Sequence, residues 1–114
     1  MEYHKRKLTL REMALLEFLI KNASTKFPFD WSENLLASPL DDGDMGSLIL
    51  FPKNTDEIGV KRTFGEQVSE FQFKDQDGID VIASLNIDNN GKLFELDIWK
   101  ANYGKLIMIP DIKN

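Results

Sequence analysis

The stretch IDVIASLNIDNNGKLFELDIWK, residues 79–100, decides the fold. In its first half an apolar residue stands at every second position from Ile79 to Ile87, an alternation typical of a β-strand with one buried face. The turn-forming residues DNNG follow at 88–91, and a second alternating run starts at Leu93. The stretch therefore predicts an antiparallel hairpin with one apolar face and one polar face.

The length of the turn determines which residues face each other in this hairpin. Opposite residues of an antiparallel pair point to the same side, so apolar residues must face apolar residues. A four-residue turn pairs Leu85 with Phe94, and a two-residue turn pairs Leu85 with Leu96. A three-residue turn would set Leu85 opposite Glu95, and we exclude it.

The polar face of the predicted hairpin combines carboxylates with a large aromatic side chain. Glu95, Asp97 and Trp99 share this face on the second strand, and Asp80 and Ser84 join them from the first. Carboxylates around an indole suit a partner surface rich in Lys or Arg, because Trp is frequent in binding hot spots and stacks on cations. The candidate binding residues are Asp80, Ser84, Glu95, Asp97, Trp99, the adjacent Lys100, and Trp31 from an earlier loop.

The clearest element outside the hairpin is an N-terminal helix. The sequence TLRE has the form of a capping box, with Thr9 as the N-cap and Glu12 three residues later. Apolar residues then recur at helical spacing, so we expect an amphipathic helix over residues 10–22 that packs on the sheet. Residues 1–8 are expected to form a flexible tail.

Three further elements are predicted from short local patterns. The apolar run SLILF at 47–51 is typical of a buried strand, and KLIMIP at 105–110 predicts a short closing strand that ends at Pro110. In the long loop between the first helix and SLILF, Asp30 has the position of an N-cap. This residue predicts a short helix at 31–37.

A second hairpin precedes the first strand of the opening stretch. The apolar residues of FQF at 71–73 match the apolar face of that strand only if the connecting loop has three or five residues, with Gly78 in the left-handed region. The strands then follow one another as an antiparallel meander. The sequence therefore predicts a single α+β domain over residues 1–114, with an N-terminal amphipathic helix packed on a four- to five-stranded antiparallel sheet.

The charge of the chain favours a cationic partner over nucleic acid. The net charge is −5, but residues 1–26 carry six Lys and Arg against three Asp and Glu, whereas residues 41–97 carry five against thirteen. An acidic segment repels a phosphate backbone and attracts a basic surface, although acidity also serves solubility alone. We expect no nucleic-acid binding, and a cationic protein is the expected partner.

The residue types needed for most catalytic and metal chemistry are scarce. The chain has no cysteine and a single histidine, His4, so we expect no disulfide, thiolate or Ser-His-Asp chemistry. Glu95 and Asp97 as a general acid and base are the less favoured alternative. Residues 86–97 match the spacing of a calcium-binding EF-hand loop, but the flanking sequences are strand-like and the first and last ligands are weak. We expect neither a metal nor a cofactor.

The apolar runs of the chain are short. None approaches the roughly 18 residues of a membrane span, and Arg11, Glu12 and Glu17 interrupt the apolar sequence that follows the basic start. We therefore expect no membrane span, no signal peptide and a cytoplasmic location, with which the absence of cysteine agrees.

The chain resembles a family of small bacterial proteins of unknown function. The resemblance is carried by ASLNIDNNGKLFELDIWKANYGKLIMIP (83–110), GSLILF (46–51) and the opening LTLREMALLEFLI (8–20). The family pattern is a hairpin of the form SLN-D--G-LFELD-WK followed by an aromatic turn and a short final strand. Related small acidic α+β proteins are associated with immunity to secreted bacterial toxins. The resemblance implies no catalytic residues and directs attention to Glu95, Asp97, Trp99 and Lys100.

Three hypotheses about function follow. The first is a non-enzymatic binding protein, most concretely an immunity-type inhibitor of a cationic bacterial toxin domain, with Trp99 or Trp31 as the anchor of the contact. The second is a small-ligand module or minor enzyme with a cleft between the loop 24–47 and the Glu95/Asp97/Trp99 face, in which the aromatic residues of the loop bury Trp99. The third is a structural subunit that dimerises through its edge strands.

Overall fold

The computed structural model describes residues 4–53, 55 and 61–113 of the chain. Within them lie one helix and five strands: α1 (Leu10–Lys21), β1 (Leu36–Pro39), β2 (Leu48–Phe51), β3 (Phe64–Lys74), β4 (Asp80–Asp88) and β5 (Leu93–Lys100). The strands pair antiparallel in one sheet of order β1-β2-β5-β4-β3. The predicted α+β class, the N-terminal helix and the antiparallel sheet are confirmed.

Helix α1 begins at the predicted capping box. The Glu12 N–H donates to the Thr9 hydroxyl at 3.1 Å, and the Thr9 N–H donates to the Glu12 carboxylate at 2.8 Å, which satisfies two donors at the helix start. Leu15, Leu16 and Leu19 are fully buried against the sheet. The side of the sheet that α1 covers is called the core face below, and the opposite side is the outer face. No helix within the described residues has the length and apolar character needed to cross a bilayer.

The β4–β5 hairpin has the three-residue turn that the predicted pairing of apolar residues excluded. The Asp88 N–H donates to the Lys92 carbonyl at 2.8 Å, which leaves residues 89–91 as a three-residue turn. The exclusion of this turn was therefore wrong.

A bulge in β5 reconciles this turn with the burial of the apolar residues. Ile87 pairs with Leu93 and Asn86 pairs with Glu95, so Phe94 has no opposite residue. An extra residue of this kind shifts the register by one position. Beyond it the apolar residues of both strands face each other again. The predicted pairing excluded the three-residue turn because it assumed strands without a bulge.

The β3–β4 hairpin forms as the sequence predicts. The Asp75 N–H donates to the Ile79 carbonyl at 2.9 Å, and Phe73 pairs with Val81 on the core face. Gly78 adopts a φ of +79°, a left-handed conformation that glycine accepts without a steric penalty. The predicted loop length and the predicted role of Gly78 are confirmed.

The helix expected at residues 31–37 does not form. The chain turns there, and Asn34 adopts a φ of 57°, which interrupts any helix. The side chain of Asp30 pairs with Lys53 and does not cap a helix. The following residues form β1, which pairs with the correctly predicted strand β2.

The closing strand expected at residues 105–110 does not form either. The N–H groups of Ile107 and Met108 donate to the Asp75 carboxylate, at 2.8 and 3.1 Å, and make no strand ladder. Ile109 is buried in the core. A side chain therefore replaces the neighbouring strand as the partner of this backbone.

The segment that precedes α1 is attached to the sheet in its described part. Arg6 and Ala37 exchange two backbone hydrogen bonds of 2.8 and 2.7 Å. The Arg6 guanidinium donates two further bonds to the Glu12 carboxylate, at 2.7 and 2.9 Å. The expected flexible tail over residues 1–8 thus has defined contacts at Arg6.

Candidate functional site

The outer face carries five of the seven candidate binding residues. Ser84 pairs with Asp97, and Ile82 pairs with Trp99, so these side chains project from the side opposite α1. Because of the bulge, Leu85 faces Leu96, which is the pairing that was predicted for a two-residue turn. The five residues that the fold brings to this face are Asp80, Ser84, Glu95, Asp97 and Trp99.

Trp99 forms an aromatic pair with a residue that the sequence analysis did not single out. Its exposed fraction is 40%, and its ring meets the ring of Tyr103 edge-on at a centroid distance of 6.1 Å. Tyr103 is itself exposed and follows β5 in a turn closed by its own N–H, which donates to the Lys100 carbonyl at 2.8 Å. The aromatic turn after the hairpin therefore extends the outer face by a second ring.

The two carboxylates of β5 differ in exposure. Asp97 is exposed, and its Oδ1 lies 3.2 Å from the hydroxyl of Ser47. That hydroxyl also accepts the Ile98 N–H at 2.8 Å, so Ser47, the residue before β2, positions the Asp97 carboxylate beside β5. Glu95 is half-buried, with the amide nitrogen of Asn86 at 3.4 Å.

Strand β3 adds a further acidic side chain to the outer face. Glu70 pairs with Ser84 and is exposed. Asp80 is partly neutralised by Lys74, whose ammonium lies 2.9 Å from the carboxylate. Glu70 was not among the predicted binding residues, although the alternation of FQF in the same strand already assigns its side chain to the polar side.

Lys100 lies on the core face, away from the acidic residues of the outer face. It pairs with Val81 and is only 1% exposed. Its ammonium donates to Asp75 at 2.8 Å, to Asp77 at 2.7 Å and to the Lys105 carbonyl at 3.0 Å. Since a partner at the outer face cannot reach this group, Lys100 does not belong to the candidate surface.

Asp75 is the centre of this buried cluster. Burial raises the pKa of its carboxyl, but the Ile107 N–H, the Lys100 ammonium and the N–H groups of Gln76 and Met108 lower it by more, so the pKa is about 2. The carboxylate attaches the C-terminal segment to the β3–β4 turn. The sequence offers no local signal for the cluster, because Lys100 lies 25 residues from Asp75 and 23 residues from Asp77 along the chain.

Trp31 lies on the core side of the sheet, away from Trp99. Trp31 and Phe27 pack against the core. Phe29, the third aromatic residue of this part of the loop 24–47, is 97% exposed. These aromatic residues therefore do not bury Trp99, and the cleft expected between them and the outer face does not form.

Asp88, at the third position of the calcium-like spacing, is used by the fold itself. Its carboxylate pairs with the Arg62 guanidinium at 2.8 Å and accepts the N–H groups of Asn90 and Lys92 at 2.8 and 2.9 Å. Burial raises the pKa of Asp88, but Arg62 and these N–H groups lower it by more, and the net shift is downward. No group of three or more acidic or histidine side chains in the described part of the chain is arranged to hold a metal ion.

The fold and the outer face define a small α+β protein with an acidic sheet surface that carries a tryptophan. A family model matches residues 5–110, from the segment before α1 to the segment after β5, and its description is a domain of unknown function, DUF6984. The chain belongs to this family. No curated protein and no solved structure shows significant similarity to it.

Proposed function

We propose that the protein is a non-enzymatic binding protein whose outer face docks on a cationic protein, most concretely as an immunity-type inhibitor of a cationic bacterial toxin domain. The observation that carries the proposal is Trp99, a large aromatic side chain left 40% exposed beside carboxylates. Exposed Trp residues are favoured as anchors of protein interfaces. The carboxylates on the face around it are suited to pair with a Lys or Arg side chain of a partner.

Electrostatic attraction supports this docking mode. Asp97 and Glu70 are exposed on the outer face, and Glu95 is half-buried between them and β2. A surface of one sign accelerates the association of a partner of the opposite sign and fixes its orientation. The same surface repels anionic partners, which agrees with the expectation that nucleic acid is not bound.

The aromatic pair supplies the short-range part of the contact. The faces of Trp99 and Tyr103 lie nearly perpendicular, at 86°, so the pair presents ring faces in two directions on which a guanidinium can stack. Cation–π contacts of this kind contribute about 0.5–2 kcal/mol, with the larger values in desolvated interfaces. An anchor held on a sheet strand also loses little conformational entropy on binding.

The toxin-immunity form of the proposal rests on chemistry and on the sequence resemblance. An inhibitor of this type requires a stable complementary surface and no catalytic group of its own. The resemblance to small acidic bacterial α+β proteins supports this form, and the cytoplasmic location expected from the sequence is part of the same proposal.

A charge-reversal experiment tests the proposal. The tagged protein is used to isolate a partner from an extract of its native cells, and the purified partner is then titrated calorimetrically with the variants. The Glu95→Lys/Asp97→Lys double variant is expected to remain folded and to bind at least about thirtyfold more weakly, because two attractive contacts become repulsive. Higher salt weakens binding of the original protein.

A matched control variant distinguishes the effect of where the charges lie from the effect of the net charge. Glu17→Lys/Asp41→Lys changes the net charge by the same amount at exposed positions outside the outer face, and it is expected to bind within about threefold of the original protein. An acidic partner, or a Glu95→Lys/Asp97→Lys variant that binds as tightly as the control, would rule out this face. The toxin form additionally requires that the original protein inhibits the activity of the partner.

A further inference from the structure

One edge of the sheet carries no further strand within the described residues. Strand β3 lies at one end of the sheet and β1 lies at the other. The outer edge of β1 is occupied by Arg6, which exchanges two backbone hydrogen bonds with Ala37, and β1 ends at Pro39. Strand β3 has eleven residues and pairs with β4 on one side only. Its other side is therefore the place where a further strand can be added.

The alternation of hydrogen bonds along β3 identifies the backbone groups that are open. The Asp75 N–H bonds across the turn to the Ile79 carbonyl, and the direction of bonding alternates along an antiparallel strand. Three residues therefore direct their N–H and C=O groups away from β4, and they are called the open edge: Glu70, Gln72 and Lys74. Before them, the Ser24 N–H donates to the Val68 carbonyl, so the loop after α1 limits the open edge on that side.

The open edge carries opposite charges at its two ends. Glu70 and Lys74 are exposed, and each lies two residues from Gln72. The contact of Lys74 with Asp80 is itself exposed, at 69% and 48% of the two side chains, so the ammonium is accessible to a second carboxylate.

These charges make the open edge complementary to a second copy of itself. Two copies that pair antiparallel about Gln72 set each Glu70 opposite the Lys74 of the other copy. Opposite charges that face each other stabilise a strand pair, and like charges destabilise it. Pairing about Glu70 or about Lys74 sets like charges opposite each other. The register about Gln72 is also the one that pairs all three open residues with one another.

The core face of β3 carries aromatic rings that match in the same register. Phe71 is half-buried, with the ring centroid of Phe18 at 4.8 Å and that of Phe73 at 5.9 Å. Pairing about Gln72 sets each Phe71 opposite the Phe73 of the other copy. Aromatic pairs across neighbouring strands are stabilising, so both sides of the strand favour this register.

We propose that the chain forms a twofold dimer through the open edge, with Gln72 at the axis. The two five-stranded sheets then join into one continuous sheet. Opposite residues of antiparallel strands point to the same side, so both outer faces lie on one side of the joined sheet. Trp99 lies in β5, two strands away from the contact, and the dimer therefore does not depend on the proposed function.

Sedimentation equilibrium of the full chain, from about 1 µM to about 1 mM, tests this proposal. A monomer–dimer equilibrium is expected, with a dissociation constant of about 10–100 µM, which is typical of a small interface. Gln72→Pro is expected to abolish dimerisation, because proline removes the N–H at the centre of the open edge. That N–H points away from β4, so the variant is expected to stay folded, which thermal melting checks.

An exchange of charges tests the register. Glu70→Lys and Lys74→Glu each set like charges opposite one another, and each is expected to weaken dimerisation at least about fivefold. The double variant Glu70→Lys/Lys74→Glu restores opposite charges and is expected to dimerise within about threefold of the original protein. Asp41→Lys changes the net charge as much as Glu70→Lys, at an exposed position between β1 and β2 near the other end of the sheet. It is expected to leave dimerisation unchanged.

Three results would count against the dimer. The proposal is overturned if the original protein stays monomeric over the whole concentration range, or if a folded Gln72→Pro variant dimerises as tightly as the original protein. The register about Gln72 is wrong if the double charge variant dimerises more weakly than both single variants.

Discussion

Lys100 places an ammonium group inside the protein at the end of β5. It is surrounded by the carboxylates of Asp75 and Asp77 and by the Lys105 carbonyl, and Asp75 in turn accepts backbone N–H groups from the C-terminal segment. Such partners replace the water that a buried charge loses on folding. The members of the cluster therefore stabilise the protein only together, and the loss of one leaves another without compensation.

Removal of the Asp75 carboxylate is expected to be strongly destabilising. Asp75→Ala leaves Lys100 without its buried partner and Ile107 and Met108 without their acceptor, so the free energy of unfolding falls by about 3 kcal/mol or more in a urea titration. Asp111→Ala, which removes only an exposed ion pair with Arg11, is expected to cost less than about 1 kcal/mol. Equal losses in the two variants would contradict a buried cluster.

The same carboxylate makes stability depend on pH in acid. Its pKa is about 2 in the folded protein, below the ordinary value of 3.8, so its contribution is complete above the ordinary value and is lost as the pH falls toward 2. The original protein is expected to lose more stability over that range than Asp75→Asn, which has no proton to bind at this position. Urea titrations at a series of pH values measure the difference, and parallel curves would contradict the assignment.

At the scale of the elements, the predictions that hold are those that depend on local sequence. The capping box at Thr9 and Glu12 and the alternation from Ile79 to Ile87 lie within single elements, and both could be predicted. The bulge at Phe94 could not be predicted, because Arg62, which contacts the bulge, lies outside the hairpin in the sequence.

The contacts that determine this bulge and the other missed elements join residues far apart in the chain. Arg62 donates to the Leu93 carbonyl and lies 5.1 Å from the centre of the Phe94 ring. The absent helix at 31–37 and the absent strand at 105–110 have the same cause, since Lys53 takes the capping side chain and Asp75 takes the backbone donors. No pattern within those segments reports these partners.

Deletions in β5 distinguish the bulge from the regular strand. Without Phe94, Leu93, Glu95 and Leu96 still alternate between the two faces, so the deletion variant is expected to fold with a loss of about 2 kcal/mol from the missing ring contacts. Deletion of Leu96 instead turns Asp97 toward the core and is expected to prevent folding. Circular dichroism and thermal melting compare the two, and a deletion of Leu96 that is tolerated as well as that of Phe94 would contradict the register.

At the scale of the whole molecule, the parts that cover the sheet lie on one side. Helix α1, Phe27, Trp31 and Ile109 all pack on the core face, whereas Trp99 and the acidic side chains of the outer face lie on the other. The two tryptophans therefore have different electrostatic surroundings. Trp99 is near carboxylates, whereas both charge signs occur near Trp31, where Lys53 pairs with Asp30. This difference provides a physical test of the outer face that needs no partner.

Quenching of tryptophan fluorescence by caesium and by iodide tests the central claim most directly, namely that Trp99 is accessible on an acidic surface. Trp31→Phe reports on Trp99 alone, and Trp99→Phe reports on Trp31 alone, once thermal melting has shown that both variants are folded. The ratio of caesium to iodide quenching is predicted to be clearly higher for Trp99, because carboxylates concentrate cations and repel anions. An open acidic face would be contradicted if neither ion quenches Trp99. It would also be contradicted if the ratio of caesium to iodide quenching is lower for Trp99 than for Trp31.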